Sequence, residues 1–304
     1  HYCGHQEPRP QTCPKCGSRY ISGFKAGTQQ IEEKLREMFP GVRTLRMDGD
    51  TTRTKDSYER ILSAFMGGEA DVLIGPQMIV KGHDFPRVTL VGVLAADLSL
   101  SVGDYRAGEK TFQLLTQAVG RAGRGELPGE AVIQTYQPDH YAVVHAAAQN
   151  YEGFYREEII YRELMGYPPA AHMLAVQIFA RAEAGGHALA DGLASMTRRY
   201  FGSPMDSREG RGARETPGFM ENAPKTNAPR PLQEAGKAPP EAQIIGPAPA
   251  SIGRINDIFR FVFYVKCAKY DKLVQIKDLL EEEMQKRQSA DELVQFDFNP
   301  MNTM

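Results

Sequence analysis

In the stretch from Gln113 to Gly125, QLLTQAVGRAGRG, Gln117 stands four residues before Arg121, and Arg124 follows three residues later. Gly120, Gly123 and Gly125 flank the two arginines. A guanidinium fork binds phosphate oxygens in pairs, and glycines let the backbone come close. Such a pair suits the charge that builds on a γ-phosphoryl group in transfer. The plainer alternative is a basic helix end that satisfies its own carbonyls. No loop of the form GxxxxGK[ST] accompanies the arginines; the nearest string, Gly108-Glu109-Lys110-Thr111, has a carboxylate where such a loop must turn. The apolar run from Val88 to Asp97 ends in an acid that could hold a metal, but without a phosphate loop beside it. The arginines therefore fit a nucleotide presented from outside this chain.

A second chemistry resides in the cysteines. Of four, three fall within the first sixteen residues, and Cys13-Pro-Lys-Cys16-Gly is a knuckle turn in which two thiolates can grip one zinc ion. Cys3-Gly4 echoes Cys16-Gly17, which suggests a second knuckle whose leading cysteine would precede His1. His1 and His5 are poorly spaced to complete either site. Free cytosolic thiols are the bland alternative. Cys267, in FRFVFYVKC, reads as a buried strand residue.

The elements that must position these groups follow from periodicity. YISGF, VRTLRMD, DVLIG, VTLVGVL and AVIQTY are strand-like, and between them IEEKLREMF, YERILSAFM and the segment from Tyr105 to Val119 have helical spacing. This alternation predicts an α/β domain with a parallel sheet covered by helices, over residues 19–150. Ligands of such sheets bind beyond the strand C-termini, where DGDTT, GPQMIVKGHDFP and AADLSL fall. Residues 139–165 read as helical and end at Gly166-Tyr167-Pro168-Pro169, a turn. A small α+β domain over 151–304 is expected next, interrupted at 203–243 by a stretch with seven prolines that reads as a disordered insertion. Residues 1–18 form the partial zinc knuckle region.

With 304 residues, 41% hydrophobic and 24% charged, the chain is long enough to bury a core. A net charge of −2 leaves nucleic-acid contact to local patches. No apolar run of membrane length or signal-peptide character occurs, so a cytoplasmic protein is expected, and the missing initiator Met suggests a start inside a longer protein.

The succession GTQQIEEKLREMFP, DGDTT, GPQMIVKGHDFPRVTLVGVLAAD and DYRAGEKTFQLLTQAVGRAGRG resembles the second RecA-like lobe of a superfamily 2 helicase. More closely it is similar to the PriA family of bacterial replication-restart helicases, over nearly the whole chain except the Pro-rich insertion. The resemblance implies that Gln117, Arg121 and Arg124 form motif VI, the arginines acting as fingers on ATP held with Mg2+ mainly by another lobe. It implies that Gly82 and Asp84 belong to motif V, the glycine near the phosphates and the aspartate near the ribose. Thr28, with Gln29, at a helix N-terminus, Gln77 and Lys81 would contact a DNA strand. Pro76 stands where such helicases commonly carry a threonine, and proline offers neither a hydroxyl nor an N–H.

The family carries eight cysteines on two zinc ions. Cys3, Cys13 and Cys16 fit that pattern, Cys3 on a different zinc from the other two, with both sites incomplete in this segment. The last domain resembles the family's C-terminal domain, whose implied partners are single-stranded and branched DNA, the single-stranded-DNA-binding protein and primosome proteins, with no membrane. Arg254, Arg260 and Lys266 around the aromatic-rich strand are candidates for phosphates or an acidic tail, while Phe259, Phe261 and Phe263 read as core. The resulting expectation is a segment of a 3′ to 5′ ATP-dependent DNA helicase of replication restart, inactive without the lobe bearing the phosphate loop. The alternative is a noncatalytic zinc-dependent adaptor binding DNA and protein, which would have no use for Arg121 and Arg124.

Overall fold

Short apolar runs joined by amphipathic segments require crossover connections if the runs pair in parallel, and the chain forms such units twice. The computed structural model describes residues 11–13, 16–19, 27–49, 51–52, 55–76, 85–123, 128–202, 242–287, 289 and 291–302. Helix α1 (Thr28–Met38) leads into β1 (Thr44–Arg46), and α2 (Lys55–Gly67) into β2 (Val72–Ile74). β1 and β2 are parallel, Thr44 opposite Val72 and Arg46 opposite Ile74. β3 (Leu90–Val93) is followed by the short α3 (Asp97–Leu100), then α4 (Ala107–Val119) and β4 (Glu130–Ile133). β3 and β4 are again parallel, and α4 supplies their crossover. Among the described residues the expected sheet is thus present as two parallel pairs. The expected first strand, at 20–24, lies outside them.

Each pair has its own buried cluster. Met47, Leu62 and Phe85 pack beneath β1 and β2 with Ile61, Phe65 and Leu73 around them. Beneath β3 and β4, the apolar face of α4 contributes Phe112, Leu115 and Ala118, and Phe112 stacks on Phe154 with ring centroids 4.1 Å apart. The residues expected as one helix from 139 to 165 form two, α5 (Tyr141–Ala147) and α6 (Tyr151–Met165). Gln149 takes a left-handed φ of 52°, and the Asn150 carboxamide oxygen accepts from the Gly153 N–H at 2.9 Å, capping α6 as a new helix.

Gly166, left-handed, ends α6 before the cis Pro168–Pro169 bond. Then come β5 (His172–Ala180), α7 (Glu183–Tyr200), β6 (Ala242–Ile255), β7 (Ile258–Cys267), α8 (Tyr270–Arg287) and β8 (Glu292–Phe298). The sheet order is β6-β7-β5-β8, with every neighbour antiparallel. Because β7 lies between β5 and β6, this is a split β-α-β-β-α-β unit of ferredoxin-like topology. Strand alternation sends Leu174, Val176 and Ile178 of β5 and Phe261, Phe263 and Val265 of β7 to one face, where α7 and α8 bury them. Cys267, 3% exposed, belongs to this core, and Phe259 packs against it. The Pro-rich stretch lies outside the described residues, except that Ala242 and Gln243 already open β6. No helix among the described residues is long and apolar enough to cross a membrane.

Candidate functional site

The arginine-bearing turn begins where α4 stops. Gln117 is exposed in the last helical turn, and Arg121 lies two residues past Val119, partly buried. The N–H groups of Gly120, Arg121 and Ala122 donate to the carbonyls of Thr116, Ala118 and Val119. These carbonyls have backbone partners, so the helix end does not depend on a cationic side chain to satisfy them. Gly123 turns the chain with φ of 70° and donates its N–H to the Val88 carbonyl at 3.0 Å. A Cβ there would sit 2.6 Å from the Gly129 nitrogen, so the two glycine backbones touch. Arg124 lies outside the described residues.

Val88 closes the segment whose earlier part holds Gln77, Lys81, Gly82 and Asp84, all four outside the described residues. Phe85, next after Asp84, is 6% exposed among Met47 and Leu62. Arg87 donates to the Met66 carbonyl at the end of α2. The exit of this segment is therefore anchored both to the first parallel pair and to the arginine turn. Pro76, just past β2, is exposed.

Thr28 opens α1, but its hydroxyl does not cap that helix. It donates to Asp48 Oδ2 at 2.6 Å, and the Arg46 guanidinium lies 3.1 Å from the same oxygen. Asp48 in turn accepts from the Thr51 N–H at 3.0 Å, ordering the DGDTT loop. The start of α1, the loop after β1 and the end of β2 thus lie together, since Met47 N–H bonds the Ile74 carbonyl. With its proton committed to Asp48, the Thr28 hydroxyl has only acceptor lone pairs left, which cannot bond a phosphate oxygen, so an anion at this end of α1 would be met by the first-turn N–H groups.

Asp97, the acid at the end of the apolar run, ties α3 to the end of β4. It accepts from the Tyr136 N–H at 2.9 Å and from the Thr135 hydroxyl at 2.8 Å. Burial raises its pKa, but these hydrogen bonds outweigh it and hold the carboxyl below the usual range. Its oxygens are engaged in holding the fold.

Beside Cys13 and Cys16, Gly17, with φ of 68°, donates its N–H to the Cys13 carbonyl at 2.8 Å, and the Cys13 N–H bonds the Ser18 carbonyl at 2.8 Å. Two cysteine thiolates are soft donors of the kind zinc takes. No group of three or more His, Cys, Asp or Glu placed to hold a metal ion occurs among the described residues, and Cys3 lies outside them.

On the C-terminal domain, Lys266 is not the surface cation that its sequence neighbourhood suggests. It is 6% exposed, its ammonium donating to the Met165 carbonyl at 3.0 Å over the Tyr167 ring. Arg254 stays exposed, paired with Asp257 at 2.6 Å and lying over Phe259. Arg260 lies over Phe179 on the sheet face away from α7 and α8.

A buried charge network absent from the sequence reading joins the two halves. Arg162 of α6, 3% exposed, contacts Glu158 at 2.5 Å, Glu109 of α4 at 3.0 Å and the Pro168 carbonyl at 2.6 Å. The Tyr141 hydroxyl donates to Glu158 at 2.6 Å, and burial pushes that phenol's pKa upward. Hydrogen bonding from Arg106 is the main influence holding the Glu109 carboxyl below its usual range. The one hint in the sequence was the i,i+4 pair Glu158 and Arg162 on the face of α6 that also carries Phe154.

The model described as helicase conserved C-terminal domain matches residues 19–126, and the primosomal protein N C-terminal domain matches 209–301. The replication restart protein PriA of Bacillus subtilis (strain 168) is 38% identical over 305 residues, covering the whole chain and 33% of that protein. The protein of the same name from Synechocystis is 37% identical over 274 residues, 90% of the chain and 28% of that relative. The one from Chlamydia trachomatis is 47% identical over 176 residues, 57% of the chain and 23% of the relative. The chain spans about a third or less of the length of these curated relatives. With both domains present in this order and likeness along its whole length, the chain belongs with the PriA family, as a segment of its C-terminal part.

Proposed function

We propose that this chain is the second motor lobe and C-terminal domain of an ATP-dependent superfamily 2 DNA helicase. It moves 3′ to 5′, recognises stalled or branched replication forks and initiates primosome assembly in the cytoplasm. Arg121 and Arg124 act as fingers on the γ-phosphoryl group of Mg2+-bound ATP, with Gln117 orienting the same region. Gly82 and Asp84 approach the phosphates and ribose, and Thr28, Gln77 and Lys81 track a DNA strand. The observation that carries this reading is the bond from Gly123 N–H to the Val88 carbonyl, which seats the arginine turn on the exit of the segment bearing Gly82 and Asp84.

Since no GxxxxGK[ST] loop occurs in the 304 residues, hydrolysis is expected only when another lobe presents the nucleotide. Cys13 and Cys16 would supply two of four ligands to a structural zinc, a cross-link rather than a reacting centre, with Cys3 on a second. The C-terminal domain contributes to binding of single-stranded and branched DNA, the single-stranded-DNA-binding protein and primosome proteins. In the full-length protein, Arg124→Ala should lower DNA-stimulated ATP hydrolysis by roughly a thousandfold while DNA affinity is retained. Hydrolysis at the wild-type rate would point instead to a noncatalytic DNA- and protein-binding adaptor.

A further inference from the structure

Helix α4 is held at both ends by different parts of the molecule. Its far end carries Gln117 and the arginine turn. Its near end is gripped by the C-terminal half. Arg162 pairs with Glu109 at 3.0 Å, the Tyr105 hydroxyl donates to the Pro300 carbonyl at 2.9 Å, and Lys110 donates to Asn302 at 2.7 Å. Tyr105 also stacks on Tyr167, ring centroids 4.9 Å apart and 12° from parallel, and lies beneath the Arg162 guanidinium at 4.9 Å.

The grip is continuous with the antiparallel sheet. Asn299 exchanges two hydrogen bonds with the backbone of Met173 in β5, at 2.7 and 2.9 Å, so the strap 299–302 moves with that sheet. Pro168, whose carbonyl binds Arg162, lies in the turn that enters β5. Near the start of α4 there is no slack: a Cβ on Gly108 would lie 2.6 Å from the Tyr141 hydroxyl and 3.1 Å from Glu158. A helix of 13 residues is about 20 Å long and stiff, so a shift imposed near Glu109 reaches Arg121 rather than dissipating.

We propose that Glu109, Arg162 and Tyr105 are positioning residues that couple the C-terminal domain to ATP turnover: through α4 they set where the arginine turn lies when the C-terminal domain engages DNA. The inference rests on the motor reading above and adds to it the route by which one domain governs the other. None of the three touches nucleotide; each acts through the helix. The Arg162–Glu109 contact is charge-assisted with its guanidinium buried and its carboxylate partly exposed, and the Tyr105–Pro300 bond is buried, so removing one partner shifts the helix start instead of being absorbed by solvent.

The test uses the full-length protein with Glu109→Gln and, separately, Tyr105→Phe. Glu109 is partly exposed and the glutamine keeps its shape, while phenylalanine removes one hydroxyl, so both variants are compatible with folding. ATP hydrolysis is measured with and without saturating single-stranded DNA, alongside DNA affinity and melting temperature. Both variants should lose about tenfold in DNA-stimulated kcat, with DNA-free hydrolysis, KM for ATP and DNA affinity within about twofold of wild type. A wild-type stimulated rate, or a fall of the DNA-free and stimulated rates in parallel, overturns the coupling. Arg121→Ala in the same assay separates the two ideas. If it abolishes hydrolysis while the Glu109 and Tyr105 variants behave as wild type, the coupling alone fails; if it hydrolyses normally, the motor reading fails.

Discussion

Lys266 carries a proton the fold disfavours. Its ammonium lies between the Met165 carbonyl and the Tyr167 ring, which support the charge, but burial outweighs them and pushes the pKa down to about 8 from 10.5. Between those two values the unfolded chain binds a proton that the folded chain has released, so stability rises with pH across that window. Lys266→Met fills the space without the charge and should show no such rise. Urea unfolding at pH about 7 and about 10 should find the wild type gaining on the variant by about 1–3 kcal/mol. Parallel pH dependence in the two proteins rules the explanation out. The sequence placed Lys266 beside Arg260 as a surface cation because alternation tells which face a strand residue takes but not what covers that face. The cover, Met165 and Tyr167, comes from about a hundred residues earlier.

At the level of elements, the turn after α4 works because two glycine backbones cross. Gly123→Ala would place a Cβ 2.6 Å from the Gly129 nitrogen on a residue with φ of 70°, costing about 1–2 kcal/mol for the conformation alone. Relief of the clash must move the turn off Val88. Since misplacing a catalytic group by about an ångström can cost a hundredfold in rate, ATP turnover of the full-length variant should fall by about that factor. Gly92→Ala in β3, where nothing lies within 4 Å of the added carbon, serves as the control and should keep its rate. Periodicity made α1, α2 and α4 legible, and the alternating Phe259, Phe261 and Phe263 told the core face of β7. It missed the break between α5 and α6, because that break depends on a left-handed Gln149 and one Asn150 cap rather than on a change of pattern. Likewise the glycines of GRAGR let the backbone come close, but the Val88 carbonyl that receives the Gly123 N–H lies 35 residues upstream, just before β3, and carries no signature.

For the molecule as a whole, the question is whether the two halves unfold together. Their junction is built from α4, α6, the Pro168–Pro169 turn and the strap 299–302, and its centre is ionic: Arg162 holds Glu158 and Glu109 at once in a site that is nearly closed to water. A charge so placed is weak evidence for net stability, yet taking it away leaves two carboxylates and the Pro168 carbonyl without their shared donor. Arg162→Met keeps most of the volume and should cost about 3–5 kcal/mol, because the partners stay buried. That loss falls on the junction, since the core of the antiparallel sheet under α7 and α8 and the Phe112–Phe154 cluster contain none of these groups. Calorimetry of the wild-type chain should therefore show one cooperative transition over both halves, and the variant two, the lobe with α4 melting below the antiparallel domain. A single transition lowered as a unit would show instead that contacts other than the Arg162 network bind the halves together.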